Sequence, residues 1–275
     1  MATYKTILLT GATDGIGKRT AFKIAKNNVT LLIHGKNMEK GHYIREKIIA
    51  ETGNKNIFYF NADLSSFKEI DELSSAIHKQ FSKIDVLINN AGIYENRKII
   101  LENGIEKNFM VNYLAAFTLT LKLLDLLENS GSARIVNVSS MIHANNIDFE
   151  NLNGEKHYSG EAAYSLTKLC NILFTNELSD KVKKKNISVN SLHPGVINTK
   201  LLKKGWGDFG ASTDEGSKRI LFVACSSNIK NISGKYFMND LPIRSAGISY
   251  EEAVKKKLWD ISLKYSNMKF DDQDF

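Results

Sequence analysis

Cysteine and proline are scarce in this chain, two of each in 275 residues, and each scarcity removes a class of explanation. Cys170 and Cys225 fit neither a disulfide scaffold nor a metal site, so no metal is expected, and such sparing use suits a reducing compartment. With so little proline and no low-complexity stretch there is no sign of a linker, and residues 1–275 are expected to form one domain. Long apolar runs are missing too. None approaches the ~20 residues that cross a bilayer, and the first strand begins too early to leave room for a signal peptide. We therefore expect a cytoplasmic protein with no membrane insertion. Hydrophobic residues still make up 43% of the chain, enough for a sizeable core.

Acidic residues are the minority charge, 30 against 37 Lys and Arg, for a net +7. That balance raises the question of nucleic acid. The densest clusters, Lys181-Val182-Lys183-Lys184-Lys185 and Lys255-Lys256-Lys257, fall near the ends of expected helices, where lysines suit the dipole and the solvated face. No zinc-finger spacing or RNA-binding aromatic pattern accompanies them, so no nucleic-acid partner is expected.

What the chain does have is a strand, a glycine turn and a helix in immediate succession. Thr6-Ile7-Leu8-Leu9 leads into Thr10-Gly11-Ala12-Thr13-Asp14-Gly15-Ile16-Gly17, and a helix-like stretch runs from Lys18 to Asn27. In such a turn Gly11 permits the tight bend, Gly15 lets the backbone approach a diphosphate, and Gly17 lets helix and strand pack closely. The free N–H groups and the dipole at the helix start then face the anion. Three glycines alone would be weak grounds among 18; the flanking strand and helix make the pattern specific.

Further short β-branched or apolar runs follow at Val29–Ile33, Ile57–Phe60, Val86–Ile88, Arg134–Val138, Ile187–Leu192 and Lys235–Phe237. Stretches of helical periodicity alternate with them, at Met38–Glu51, Phe67–Phe81, Leu101–Glu128, Ala163–Lys184, Thr213–Ala224 and Tyr250–Tyr265. This alternation predicts an α/β fold, a doubly wound parallel sheet of about seven strands with helices on both faces. The longest loops, 142–162 and 197–212, follow strands, where such sheets enclose ligands. Polar residues follow six successive strands: the glycine turn, Gly35-Lys36-Asn37, Asp63-Leu64, Asn89-Asn90-Ala91-Gly92, Ser139-Ser140 and His193-Pro194-Gly195. Each could be ordinary turn chemistry; together along one sheet edge they argue for one ligand lying across it.

Tyr-x-x-x-Lys occurs four times, at Tyr43/Lys47, Tyr94/Lys98, Tyr164/Lys168 and Tyr265/Lys269. A solvated helix face accounts for such a pair in general. Tyr164/Lys168 differs because it opens a long helix after the loop leaving Ser139-Ser140. A lysine one turn from a phenol can lower its pKa and let it exchange protons near neutral pH. His143 reads as a surface residue of a loop, His193 as a backbone-geometry residue before a turn, and Cys170 as a small packed side chain. The stripe Phe117, Leu121, Leu124 and Leu127 reads as core or subunit interface rather than substrate groove.

Taken in order, Thr10–Gly17, Asp63-Leu64, Asn89–Gly92, Asn112, Ser140, Tyr164-Ser165-Leu166-Thr167-Lys168 and His193-Pro194-Gly195 resemble the short-chain dehydrogenase/reductase superfamily, over nearly the whole chain. Val111–Leu114, Arg134–Ser140, Leu173–Leu178, Lys235–Phe237 and Leu258-Trp259 are similar to its retinol-dehydrogenase-like branch. The resemblance implies a Rossmann-type fold and an NAD(P)-dependent enzyme acting on a small-molecule carbonyl/alcohol pair. It implies that Tyr164 exchanges the proton with the substrate oxygen and that Ser140, rather than Ser139, hydrogen-bonds that oxygen. Lys168 would hold the nicotinamide ribose and depress the Tyr164 pKa, and Asn112 would support a water-borne proton relay from Lys168. Asp63 would contact the adenine, Asn89 the adenosine ribose region, and Thr199 with the backbone near Val196 the carboxamide. Further cofactor contacts would come from Gly11, Thr13, Asp14, Gly15, Ile16, Gly17, Lys36, Asn37, Leu64, Ala91, Gly92, Pro194 and Gly195. Family members often pair subunits through the helices of Asn112 and Tyr164, which allows a homodimer or homotetramer.

Two functional classes stay open at this point: an oxidoreductase, and a nucleotide-binding sensor or scaffold that kept the fold without turnover. Retention of Asn112, Ser140, Tyr164 and Lys168 favours the enzyme. Leu201, Leu202, Trp206 and Phe209 in the loop after Thr199 suggest a hydrophobic substrate, or merely pack the lid onto the body. Cofactor choice is read at the end of the second strand, where Gly35 stands in place of the acid that binds ribose hydroxyls and Lys36 follows. That predicts NADP(H) over NAD(H) by about one to two orders of magnitude, with Asp14 acting against a second phosphate.

Overall fold

The computed structural model describes residues 5–271. β1 (Lys5–Leu9), β2 (Val29–Gly35), β3 (Ile57–Asn61), β4 (Val86–Asn89), β5 (Ala133–Val138), β6 (Ile187–Leu192), β7 (Lys235–Met238) and β8 (Leu241–Ile243) form one sheet in the order β3-β2-β1-β4-β5-β6-β7-β8. The helices are α1 (Gly15–Ala25), α2 (Met38–Thr52), α3 (Phe67–His78), α4 (Lys107–Phe109), α5 (Ala115–Lys122), α6 (Leu124–Glu128), α7 (Gly160–Lys181), α8 (Lys200–Gly205), α9 (Thr213–Cys225) and α10 (Glu252–Ser266).

Alternation along the strands distributes the core to both faces. Ile7, Leu9, Leu31 and Ile33 pack with Phe22 of α1, Ile48 of α2 and Ile220 of α9. Leu8, Leu32, Leu87 and Ile135 pack on the opposite face with Leu73 of α3, Phe117 of α5 and Phe174 of α7. Burial on both faces is why these strands read as near-continuous apolar runs. Phe117, Leu121, Leu124 and Leu127 all lie inside this second core.

Among the described residues the sheet has eight strands rather than seven, and it is not wholly parallel, since β8 pairs antiparallel with β7. Asn239 and Asp240 make the turn between them with φ of 52° and 65°, the left-handed pair that a tight hairpin requires and Asn and Asp tolerate. The helix expected over Leu101–Glu128 begins only at Lys107 and is not regular. A π-helical turn, Met110–Leu114, joins α4 to α5, and α6 starts after a break at Leu123. Loop 197–212 contains α8, capped by Thr199 Oγ1 accepting from Leu202 N at 3.2 Å. Lys255–Lys257 sit in the first turns of α10, where the dipole opposes them. Lys255 is instead buried between Asp180 and Glu252, both 2.8 Å away, and Lys257 lies over the Phe149 ring.

The strand order reverses between β1 and β4, and the crevice beyond their carboxyl ends is where such sheets take ligands. The polar segments after β1 to β4 line the groove there, and those after β5 and β6 line the adjoining cavity.

Candidate active site

The glycine turn is shaped by contacts that leave no room for side chains. Gly11 has φ +65°, and a Cβ there would lie 2.8 Å from Ala91 Cα; one on Gly17 would lie 2.1 Å from Gly11 O. Thr10 Oγ1 locks the turn to the end of β4, accepting from Asn90 N and Ala91 N, each at 3.0 Å. Asp14 caps α1, its Oδ1 accepting from Gly15 N at 2.8 Å. Above the turn lies a groove of about 510 Å³ lined by Gly11, Thr13, Asp14, Gly15, Ile16, Gly17, Lys36, Asp63, Leu64, Ala91, Gly92 and Thr199. A close-approaching backbone at a helix start is a cradle for a dinucleotide's phosphates, and the residues present fit that group.

Two of the expected groove residues turn elsewhere. Asn89 is buried beneath the groove, donating to Thr120 Oγ1 at 2.9 Å and Asn137 Oδ1 at 2.8 Å. Its neighbour Asn90 lines the groove and donates to Thr10 O at 2.8 Å. Asn37 spends its side chain capping α2, accepting from Lys40 N at 2.8 Å. His34, which sequence reasoning passed over, stitches the floor together. Its Nδ1 accepts from Gly11 N at 3.4 Å, which puts the ring proton on Nε2, 3.0 Å from Ala62 O. Burial pushes this imidazole down to about 4, so it stays neutral.

The charges around the groove are paired across the fold. Lys36 Nζ lies 2.7 Å from Asp63 Oδ2. Burial would raise the Asp63 pKa, but the ammonium and the Ser65 N–H outweigh it and hold the carboxyl low. Asp14 Oδ2 accepts from Lys40 Nζ at 2.6 Å and Lys200 Nζ at 3.0 Å. Against the penalty of burial, these two cations hold Asp14 well below the usual carboxylate range. Asp14 is therefore not a bare negative charge facing a phosphate.

Next to the groove, Ser140, Tyr164 and Lys168 share a cavity of about 240 Å³. α7 presents Tyr164 and Lys168 one turn apart, and Lys168 Nζ sits 5.3 Å from the Tyr164 ring centroid. Lys168 Nζ also donates to Val138 O at 2.9 Å, and burial loosens its proton to about 8. Burial pushes the Tyr164 phenol up, opposed by the Ser140 hydroxyl. Burial thus works against the depression expected from Lys168. Both serines line the cavity, but their hydroxyls differ. Ser139 Oγ is committed to Lys168 O at 2.7 Å, whereas Ser140 Oγ accepts from Ile142 N at 3.2 Å. Asn112 lies in the π-helical turn, its Oδ1 accepting from Ile93 N at 2.7 Å.

Neither loop histidine is a free surface group. His143 Nε2 accepts from Ala246 N at 3.1 Å, so its Nδ1–H donates to Ser140 O at 2.8 Å. His193 Nδ1 accepts from Met141 N at 3.2 Å. Both hold the segment that carries Ser140. Tyr94 is no solvated residue either. Its buried ring lies 5.8 Å from that of Tyr164 and 4.8 Å from that of Trp206, a contact that the Tyr-x-x-x-Lys spacing did not reveal. Trp206 itself reaches Tyr164 at 5.5 Å. Met141, Ile142, Pro194, Gly195, Val196, Leu201, Leu202 and Phe209 complete the cavity wall. Ion pairs from Lys200 to Asp14 and from Lys204 to Glu95 tie α8 down over both spaces.

A phosphate cradle at the sheet's switch point, opening into a cavity with a tyrosine, lysine and serine, defines a class of dinucleotide-dependent oxidoreductases. The family model described as short chain dehydrogenase matches residues 5–208, and the chain belongs to that family. Its similarity is to the retinol-dehydrogenase-like branch. It is 35% identical to retinol dehydrogenase 13 of Mus musculus over 272 residues, covering 93% of this chain and 81% of that one. It is 33% identical to retinol dehydrogenase 11 of Homo sapiens, covering 94% of this chain and 84% of that one. Among solved structures, an uncharacterised protein from Mycobacterium paratuberculosis superposes with a TM-score of 0.79 at 24% identity, covering 97% of this chain and 95% of that one. The protein is an NAD(P)-dependent alcohol/carbonyl oxidoreductase of the short-chain type. Among the described residues, no helix is long and apolar enough to cross a membrane.

Proposed function

We propose that the protein interconverts a hydrophobic carbonyl compound and its alcohol with NADP(H) as the preferred cofactor and NAD(H) as the weaker one. The observation that carries this reading is the continuity of two spaces. Ile16, Asn90, Gly92, Thr199 and Leu201 line both the cradle and the apolar cavity that holds Tyr164, Ser140 and Lys168. The nicotinamide supplies or takes the hydride.

The chain's own residues manage the oxygen. In the reductive direction the Tyr164 hydroxyl donates its proton to the carbonyl oxygen, and the Ser140 hydroxyl donates a second hydrogen bond to it. Two donors aimed at the developing negative charge in an apolar cavity stabilise it more than water would. A phenol whose proton is held firmly by burial begins in the donor state. Lys168 holds the ribose hydroxyls and feeds positive charge to the phenol, and Asn112 supports return of the proton from solvent. The wall of Trp206, Phe209, Leu201 and Leu202 favours an apolar substrate, in keeping with the retinol in the relatives' names.

The test is NADPH oxidation, followed by absorbance, against aliphatic, aromatic, quinone and sugar carbonyls, with retinol offered in the oxidative direction. Turnover concentrated on apolar compounds is expected. Preference for charged sugars would refute the substrate class. Tight NADPH binding without turnover of any compound would favour the sensor reading instead.

A further inference from the structure

The π-helical turn that carries Asn112 is gripped from α7 by two side chains, only one of which touches the Asn112 side chain. Thr167 Oγ1 accepts from Asn112 Nδ2 at 3.3 Å and donates to Tyr164 O at 2.7 Å. Asn171, three residues beyond Lys168 and buried, donates from Nδ2 to the backbone oxygen of Asn112 at 2.9 Å. A carbonyl oxygen can only accept, which settles the orientation of the amide. The turn is one residue wider than an α-helix, since Ala115 N–H reaches back five residues to Met110 O. Such turns interrupt regular carbonyl pairing and recur at functional sites.

Position gives the contact its meaning. A Cβ on Gly92 would lie 3.5 Å from Asn112 Oδ1 and 3.7 Å from Lys168 Nζ, so both groups converge on the same small space. Asn112 Nδ2 donates to Ile93 O at 3.0 Å, tying the turn to the strand end beside it. Asn171 Oδ1 is buried and accepts no hydrogen bond from the described residues. A residue chosen only to fill space between helices would avoid an amide half unpaired.

We propose that Asn171 is a positioning residue for catalysis: its amide fixes the Asn112 carbonyl in the widened turn and thereby sets Asn112 against Lys168 for proton return. The inference rests on the carbonyl/alcohol reading above. The variants are Asn171→Leu, which replaces the amide by an apolar side chain of similar volume, and Asn171→Ala, which removes it without adding bulk. Each is assayed on an accepted carbonyl substrate with NADPH, across pH.

In both variants kcat should fall on the order of 10-fold, because a displaced Asn112 slows proton return although no reacting group is removed. KM for substrate and cofactor should stay within about 3-fold, and the limb of the kcat–pH profile should move by about one unit. Hydrogen exchange across residues 110–115 should quicken in both, independently of turnover. If Asn171→Leu fails to fold, Asn171→Ala decides. Native kcat and an unmoved pH profile in a folded variant overturn the proposal, even if its melting temperature drops. Absence of turnover in the unmodified protein would instead defeat the underlying functional reading, and the exchange measurement would still report whether the turn depends on Asn171.

Discussion

Replacing Lys36 with Ala tests the cofactor preference at its physical origin. The ammonium lies at the mouth of the cradle, 68% exposed, and shares its charge with Asp63 at 2.7 Å. Two unit charges 4 Å apart in water attract by about 1 kcal/mol, so a 2′-phosphate of nearly two charges gains about 2 kcal/mol from one such lysine. Part of that is lost because Nζ must leave or share Asp63. The result is a preference for NADPH of on the order of 10- to 30-fold, the lower half of the range expected from the sequence. In Lys36→Ala the cation is gone and Asp63 is left uncompensated, so NADPH affinity should fall by at least that factor. NADH affinity should change by less than about 3-fold. Asp14→Asn is the control. Because it frees Lys40 and Lys200 from their carboxylate, Asp14→Asn should raise the NADPH preference rather than lower it. Fluorescence titration of each protein with both cofactors, at low and high salt, gives the ratios, and salt should compress the preference. Equal or tighter NADH binding by the unmodified protein, or an unchanged ratio in Lys36→Ala, would refute this reasoning.

Tyr164→Phe keeps the buried ring and removes the proton, so turnover should drop by about 10²–10⁴-fold while NADPH affinity holds; near-native turnover would mean another acid. Trp206→Ala opens the wall beside Tyr164, and since burying a large apolar side chain is worth about 1.5–3 kcal/mol, KM for an apolar carbonyl should rise by about 10-fold or more. An unchanged KM would show that Trp206 only packs α8 onto the body. Lys168 has a folded-state pKa pushed down to about 8 from its ordinary 10.5. The unfolded chain therefore binds more protons between these values, and native stability should rise with pH across that window. Denaturation midpoints of the native protein and Lys168→Met, compared from pH 8 to 10.5, should converge or cross in favour of the native protein; parallel curves would count against a depressed pKa.

The strand, glycine turn and helix at Lys5–Ala25 were legible from residue order because their causes are local. Backbone freedom at Gly11, the cap at Asp14 and the apolar period of β1 all act within a few residues. The same holds for the alternation behind the doubly wound sheet and for the place of Tyr164 on the helix that follows the loop from Ser140. The irregular helix at 107–128 was not legible, since apolar periodicity there continues through the π-helical turn, which Asn171 on another helix helps to hold. Nor was the exchange of Asn89 for Asn90, because side chains at a strand end alternate and one step reverses their direction. Tyr94 is separated from Trp206 by more than a hundred positions, and Asp14 meets Lys200 186 residues away. Such contacts decide which charges are bare and which rings form the cavity, and they arise only when distant segments are brought together by the packing of both sheet faces.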